Sequence, residues 1–143
     1  MIHDEALREA VELYDDAHDY KAILYACLEG GAKGKRFYTG MSVNDFAIIT
    51  VYDDNLCFYI LSKYTFDFSV MNKIVLPYKK ITALKATKFL KHMNILKLRF
   101  ELEGKNRRLK VAISTNLKGS TTQKENLEIL LDCLKAKIPE KMQ

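Results

Sequence analysis

The clearest strand pattern in the chain is Ile95-Leu-Lys-Leu-Arg-Phe-Glu-Leu-Glu-Gly-Lys-Asn-Arg-Arg-Leu-Lys-Val-Ala-Ile113. Apolar and charged side chains alternate on both sides of Gly104, as they do in strands with one buried face and one solvated face. The stretch therefore predicts an antiparallel hairpin that turns at Gly104-Lys105-Asn106. Its solvated face is basic on balance, and the cations predicted to point outward include Lys97, Arg99, Arg108 and Lys110.

The same alternation, enriched in β-branched and aromatic residues, extends upstream to residue 20. It predicts strands at 20–28, 45–52, 56–61, 73–78 and 81–89. Asp53-Asp54-Asn55 favours a tight turn, and Pro77 favours a sheet edge or a strand end. The fold class predicted is mainly β (α+β), a bent antiparallel sheet or small barrel of about seven strands.

Two amphipathic helices flank the predicted sheet. Residues 1–19 place Leu7, Ala10, Val11 and Tyr14 on one helical face and acids on the other. In the C-terminal helix, 122–138, Thr122-Gln-Lys-Glu125 predicts a capping box. The apolar stripe predicted to cap the sheet is Leu127, Leu130, Leu131, Leu134 and Ile138. The chain is thus divided into an acidic helix (1–19), one domain (20–138) and a tail (139–143).

Charge is distributed unevenly along the chain, whose formal net charge is +5. Residues 1–20 hold seven acids against one Arg, whereas residues 79–110 hold eleven Lys and Arg against two Glu. Either the acidic helix covers the basic face, or the basic face meets an anionic partner. The sequence leaves both open, and also whether the helix packs on its own domain.

The sequence contains no recognisable catalytic motif. Its three Cys are far apart and have apolar neighbours, so buried and reduced thiols are expected. The three His form no metal-binding or nucleophile motif. We therefore expect no enzyme activity, no metal and no cofactor. The longest apolar run, at 46–52, is far short of the roughly 18 residues of a membrane span, and a cytoplasmic protein is expected.

Three stretches resemble the bacterial pleckstrin-homology-like (PH-like) domains, close to their GRAM variety. They are the hairpin Phe46-Ala-Ile-Ile-Thr-Val-Tyr-Asp-Asp-Asn-Leu-Cys-Phe-Tyr-Ile60, the run Ile74-Val-Leu-Pro-Tyr-Lys-Lys-Ile-Thr-Ala-Leu84, and the final hairpin with its helix. Together they cover roughly residues 20–138. The acidic helix lies outside this family core.

The resemblance implies a binding module that docks a protein partner or self-associates. Eukaryotic PH-like domains often grip phosphoinositide headgroups with basic residues in and beside the first strand–strand loop, which here is Gly30-Gly-Ala-Lys-Gly-Lys-Arg36. The alternative is therefore peripheral binding to an anionic membrane, at its inner face, and nucleic-acid binding is a remote third. The predicted anion-binding residues are Lys33, Lys35, Arg36, Lys79, Lys80, Lys97, Arg99, Arg108 and Lys110.

Overall fold

The computed structural model describes residues 2–15, 19–29, 44–62 and 68–138. In chain order, the elements are α1 (Asp4–Asp15), β1 (Ala22–Glu29), β2 (Asn44–Val51), β3 (Asn55–Leu61), β4 (Val70–Pro77), a 3₁₀ turn (Tyr78–Lys80), β5 (Ile81–Phe89), β6 (Met93–Leu102), β7 (Lys105–Ser114) and α2 (Gln123–Lys137).

The seven strands form one antiparallel sheet in the order β4-β3-β2-β1-β7-β6-β5. β4 and β5 are the two ends of this order, so the sheet is not closed, and the bent sheet rather than the barrel is the form observed. Pro77 is the last residue of the edge strand β4, as predicted, and the 3₁₀ turn carries the chain from β4 to β5. The predicted fold class, mainly β with two helices, is confirmed.

The main core lies between the inner face of the sheet and α2. The predicted leucine stripe is confirmed, because Leu127, Leu130, Leu134 and Ile138 are buried against the sheet and Leu131 is partly buried. Every strand contributes residues of its inner face to this cluster, with Phe58 and Phe100 among the largest side chains.

A second, smaller cluster lies on the outer face of the sheet and holds α1. Leu7 and Val11 of α1 are buried against Ile23, Ile48 and Tyr59 of β1, β2 and β3. The acidic helix therefore packs on its own domain.

A gap in the sheet is closed by side chains of α2. β1 pairs with β7 only at Cys27, Leu28 and Glu29, so its first half has no neighbouring strand on that side. There Gln123 donates from Nε2 to the Tyr25 carbonyl (2.7 Å) and accepts from the Tyr25 amide (3.2 Å), while Asn126 donates to the Ile23 carbonyl (2.8 Å). The first turn of α2 thus replaces a strand.

The predicted capping box at the start of α2 is wrong. The dihedral angles of Thr122 are near-helical, with φ at −116° and ψ at −4°. Its side chain makes no capping hydrogen bond. Instead, the Gln123 amide donates to Ser120 Oγ (3.2 Å), and Ser120 Oγ donates to Asp4 of α1 (2.6 Å). The hydroxyl that caps this helix is therefore two residues earlier than predicted and also ties α1 to α2.

The β6–β7 hairpin is tighter than predicted. Its turn is Glu103-Gly104, because Leu102 already pairs with Lys105 and Asn106 lies within β7. Both turn residues have positive φ, 53° and 73°, as the two central residues of a type I′ hairpin turn do. Because this turn twists in the same sense as the strands, Lys105 and Asn106, which were predicted to lie in the turn, pair with β6 instead.

Candidate functional site

A basic groove lies on the outer face of β5, β6 and β7. We call it the basic groove; it encloses about 710 Å³. The charged side chains that line it are Glu29, Lys85, Lys97, Arg99, Arg108 and Lys110. Its floor is the sheet itself, so the position of each cation is fixed by strand register.

Like charges face one another across these strands. Lys85 pairs with Lys97, Lys97 pairs with Lys110, and Arg99 pairs with Arg108. Glu29 is the one acid among the described residues of the lining, and it forms an ion pair with Lys110 at 3.0 Å. The other four cations form no ion pair with any described residue.

This arrangement carries a cost that an anion would remove. Like charges placed directly opposite on neighbouring strands destabilise a sheet. Lys ammonium and Arg guanidinium groups are also the donors that bind phosphate and carboxylate oxygens most strongly. The groove can therefore hold an anion, or several anions presented by one surface.

The structure brings together four of the nine residues predicted from the sequence: Lys97, Arg99, Arg108 and Lys110. Lys79 and Lys80 do not line the groove, because the 3₁₀ turn places them, exposed, at the corner between β4 and β5. Lys33, Lys35 and Arg36 lie outside the described residues, as does the predicted tail.

Sequence reasoning missed two residues of the groove. Lys85 belongs to the basic block at 79–110, yet alternation from Ile81 would turn it toward the core. A bulge at Thr82 shifts the register, so that Ile81 and Leu84 are both buried and Lys85 faces outward. Glu29 reaches the groove through its pairing with Lys110, which lies far away in sequence.

The acidic helix does not cover the groove. α1 packs over the outer face of β1–β4, and none of its residues lines the groove on β5–β7. Its terminal acids have other partners: Asp4 accepts hydrogen bonds from Ser120 and Thr121, and Asp15 accepts from Lys73 and Tyr59. The hypothesis that α1 shields the basic face is not supported by this packing.

The cysteines are less uniform than expected. Cys57 is buried, whereas Cys27 and Cys133 are only partly buried, and all three are free thiols. Burial raises the pKa of both Cys27 and Cys57, which disfavours the reactive thiolate.

Within the described ranges, no group of His, Cys, Asp and Glu is placed to hold a metal ion. Nor does that part of the chain contain a helix long and apolar enough to cross a membrane.

Comparison with solved structures finds a similar fold in the hSac2 domain from human phosphoinositide phosphatase Sac2. The TM-score is 0.56 and the sequence identity 9%, and the match covers all of this chain and 89% of that one. At this identity the likeness bears on the fold alone, and it agrees with the PH-like architecture predicted from the sequence. No family model and no curated protein matches the sequence.

Proposed function

We propose that this chain is a non-catalytic, cytoplasmic interaction module of the bacterial PH-like type, and that its basic groove binds an anionic membrane surface. The observation that carries the proposal is the set of like-charged cross-strand pairs, Lys85–Lys97–Lys110 and Arg99–Arg108, with Glu29 as the one acid among the described residues that line the groove. The similar fold of the hSac2 domain supports the PH-like part of this proposal only, since at 9% identity the likeness bears on the fold alone.

The expected affinity is modest and depends on salt. A Lys or Arg close to an anionic leaflet contributes about 1 kcal/mol, so the four cations without an ion pair contribute about 4 kcal/mol in all. Such an attraction falls off within roughly 8 Å at physiological ionic strength. Binding should therefore be readily measured at low salt and weaken strongly as salt is added.

Vesicle co-sedimentation tests the proposal. The wild-type chain should pellet with phosphatidylglycerol-containing vesicles at low salt, pellet less at physiological salt, and stay in solution with pure phosphatidylcholine. The double variant Lys97→Glu/Arg99→Glu should lose most of this binding, because it reverses two charges at the centre of the groove.

The matched control is Lys79→Glu/Lys80→Glu, which changes the net charge by the same amount on exposed residues outside the groove. It should retain most of the binding. Equal loss of vesicle binding in both double variants would show that a diffuse electrostatic attraction, and not the basic groove, accounts for binding. No pelleting of wild type at low salt would reject the membrane proposal. Groove-dependent binding of a single-stranded oligonucleotide without vesicle binding would assign the groove to nucleic acid.

A gain in stability would show that the groove variant is folded. In the double variant, Lys97→Glu places a carboxylate between Lys85 and Lys110, and Arg99→Glu places another opposite Arg108. Three repulsive cross-strand pairs thus become attractive. We expect the thermal midpoint of the double variant to equal or exceed that of wild type. Loss of vesicle binding in a more stable protein could not be explained by unfolding.

A second candidate is self-association through the edge strand β4. This strand carries two large apolar side chains, Met71 and Val75, that are 49% and 44% exposed, and β4 ends the strand order. Two copies could pair edge to edge there and bury both side chains. Light scattering after size exclusion tests this: a dimer that Val75→Lys dissociates would establish it, and a monomer at every concentration would dismiss it.

A further inference from the structure

The turn between β5 and β6 exposes two large apolar side chains side by side. Phe89 ends β5 and is 59% exposed, and Leu90 begins the turn and is 76% exposed. Lysines flank them at positions 88 and 91, both exposed. We call residues 88–92 the hairpin tip.

The hairpin tip continues the outer face that carries the basic groove. Moving from the tip, strand register gives the row Phe89–Met93, then Thr87–Ile95–Ala112, then Lys85–Lys97–Lys110. A second opening of about 520 Å³ runs along this path and shares Glu29, Lys97 and Lys110 with the basic groove. The face is thus apolar at the tip and cationic behind it.

The spacing of these rows fits the interface of a bilayer. Phe89 and Lys85 are four residues apart, which is about 14 Å along an extended strand. Interfacial apolar groups enter roughly 5–10 Å into the boundary between headgroups and acyl chains. With the tip at that depth, the cations of the groove reach the level of the anionic headgroups or just outside it.

Leu90 occupies a backbone position that stability alone would not assign to leucine. Its φ is 61°, in the left-handed region that favours glycine or asparagine. The tip is nonetheless held in place, because the Thr115 amide (2.8 Å) and hydroxyl (3.2 Å) both donate to the His92 carbonyl. A braced turn therefore presents an exposed leucine at a strained position, as binding sites often do.

We infer that the hairpin tip inserts Phe89 and Leu90 into the headgroup–acyl boundary of an anionic bilayer while the basic groove binds its headgroups. This inference rests on the proposed membrane function and adds the orientation of the bound domain. The apolar pair supplies what electrostatics lacks, a contribution to binding that survives added salt. We assign the tip to a bilayer and not to an apolar protein surface, because the positive charges of the lysines around it attract anionic lipid headgroups.

The chain contains no tryptophan, so a single introduced one is an unambiguous probe. The variant Phe89→Trp should shift its emission to shorter wavelength on mixed phosphatidylcholine–phosphatidylglycerol vesicles, and brominated lipid should quench it. The matched control is Leu13→Trp, at a position on α1 that is 91% exposed and outside both openings. Its emission should not change when the protein binds.

A stability comparison makes the test independent of folding. Asparagine suits the left-handed backbone better than leucine, so the thermal midpoint of Leu90→Asn should not fall below that of wild type. A thermal melt measures this midpoint. The affinity of this variant for the same vesicles should nevertheless fall about tenfold, because the variant lacks the leucine side chain whose transfer from water into the bilayer favours binding.

The outcomes separate the two proposals. Pelleting of Phe89→Trp without a spectral shift would overturn insertion and leave the basic groove as a membrane site. Failure of every variant and of wild type to pellet would overturn both. A dimer that Leu90→Asn dissociates, with no spectral shift on vesicles, would assign the tip to contact between copies of this chain and overturn insertion.

Discussion

At the scale of single residues, a strained backbone occurs in both the β5–β6 turn and the β6–β7 turn, but only the first of these turns belongs to the proposed membrane-binding surface. Glu103 and Leu90 are the two non-glycine residues with positive φ in the described chain, at 53° and 61°. Glu103 lies in the β6–β7 turn, far from the hairpin tip, and its side chain is exposed. Its strain therefore bears on stability alone.

Glu103→Asn should stabilise the fold, because Asn-Gly is the preferred pair in a type I′ turn. The expected gain in unfolding free energy is about 1 kcal/mol, which corresponds to roughly 3–5 °C in the thermal midpoint for a chain of this size. Differential scanning calorimetry measures it.

The control for this substitution is Glu101→Asn, which changes charge equally on the extended backbone of β6 and should give no gain. An unchanged or lower midpoint for Glu103→Asn would contradict the turn geometry.

Alternation specified most residue faces, but not all. It placed Lys97, Arg99, Arg108 and Lys110 outward because β6 and β7 pair without irregularity over their whole length. It could not place Lys85, since one extra residue at Thr82 reverses every face that follows. A bulge has no simple signal in the local sequence, so the basic face predicted from alternation lacked Lys85.

At the scale of elements, side chains of α2 form the hydrogen bonds that a neighbouring strand would otherwise make with the first half of β1. Gln123 is 2% exposed and holds both the amide and the carbonyl of Tyr25. Sequence reasoning found the helix and its apolar stripe, because both follow from local spacing. It missed Gln123, because the partner is backbone 98 residues away and leaves no pattern in the chain.

Gln123→Ala should lower the unfolding free energy by about 2–3 kcal/mol, because it leaves two backbone groups of β1 without partners in a buried site. Urea unfolding measures the loss, and the Tyr25 amide should exchange its hydrogen faster. The control is Lys124→Ala, exposed on the same helical turn, which should stay within about 0.5 kcal/mol of wild type. Equal stability of the two variants would contradict the role of Gln123.

At the scale of the whole molecule, the outer face of the sheet is divided between an acidic helix and a basic groove. α1 is fixed at both ends by carboxylates: Asp4 to Ser120 and Thr121, and Asp15 to Lys73 and Tyr59. The sequence showed the two blocks of charge and left their relation open. Packing separates them, because Leu7 and Val11 fit the apolar cluster on β1–β3 and not the cationic rows on β5–β7.

Acid should loosen α1. Burial acts to raise the pKa of Asp4, but the hydrogen bonds from Ser120 and Thr121 outweigh it, and the pKa is lowered. Hydrogen bonds from Lys73 and Tyr59 likewise lower the pKa of Asp15. Both groups therefore add stability above their unfolded value of about 3.9, and this stability is lost as pH falls through their folded values.

Thermal melts between pH 6 and pH 3 test this coupling. The variant Asp4→Asn/Asp15→Asn should be less stable than wild type at pH 6 and should lose less of its stability on acidification. The control Glu5→Gln/Glu9→Gln removes two exposed charges from the same helix and should keep the wild-type pH dependence. Parallel curves for wild type and the aspartate variant would contradict the anchoring of α1.

We propose that an anionic membrane meets the outer face of β5–β7 and not the half of the sheet that α1 covers. The most direct measurement is a map of backbone amide shifts by NMR as phosphatidylglycerol-containing nanodiscs are added. Shift changes should be confined to the hairpin tip and to the residues beside Lys85, Lys97 and Arg99, and the amide signals of α1 and β4 should not move. Changes centred on α1 or β4, or no changes at low salt, would contradict this proposal.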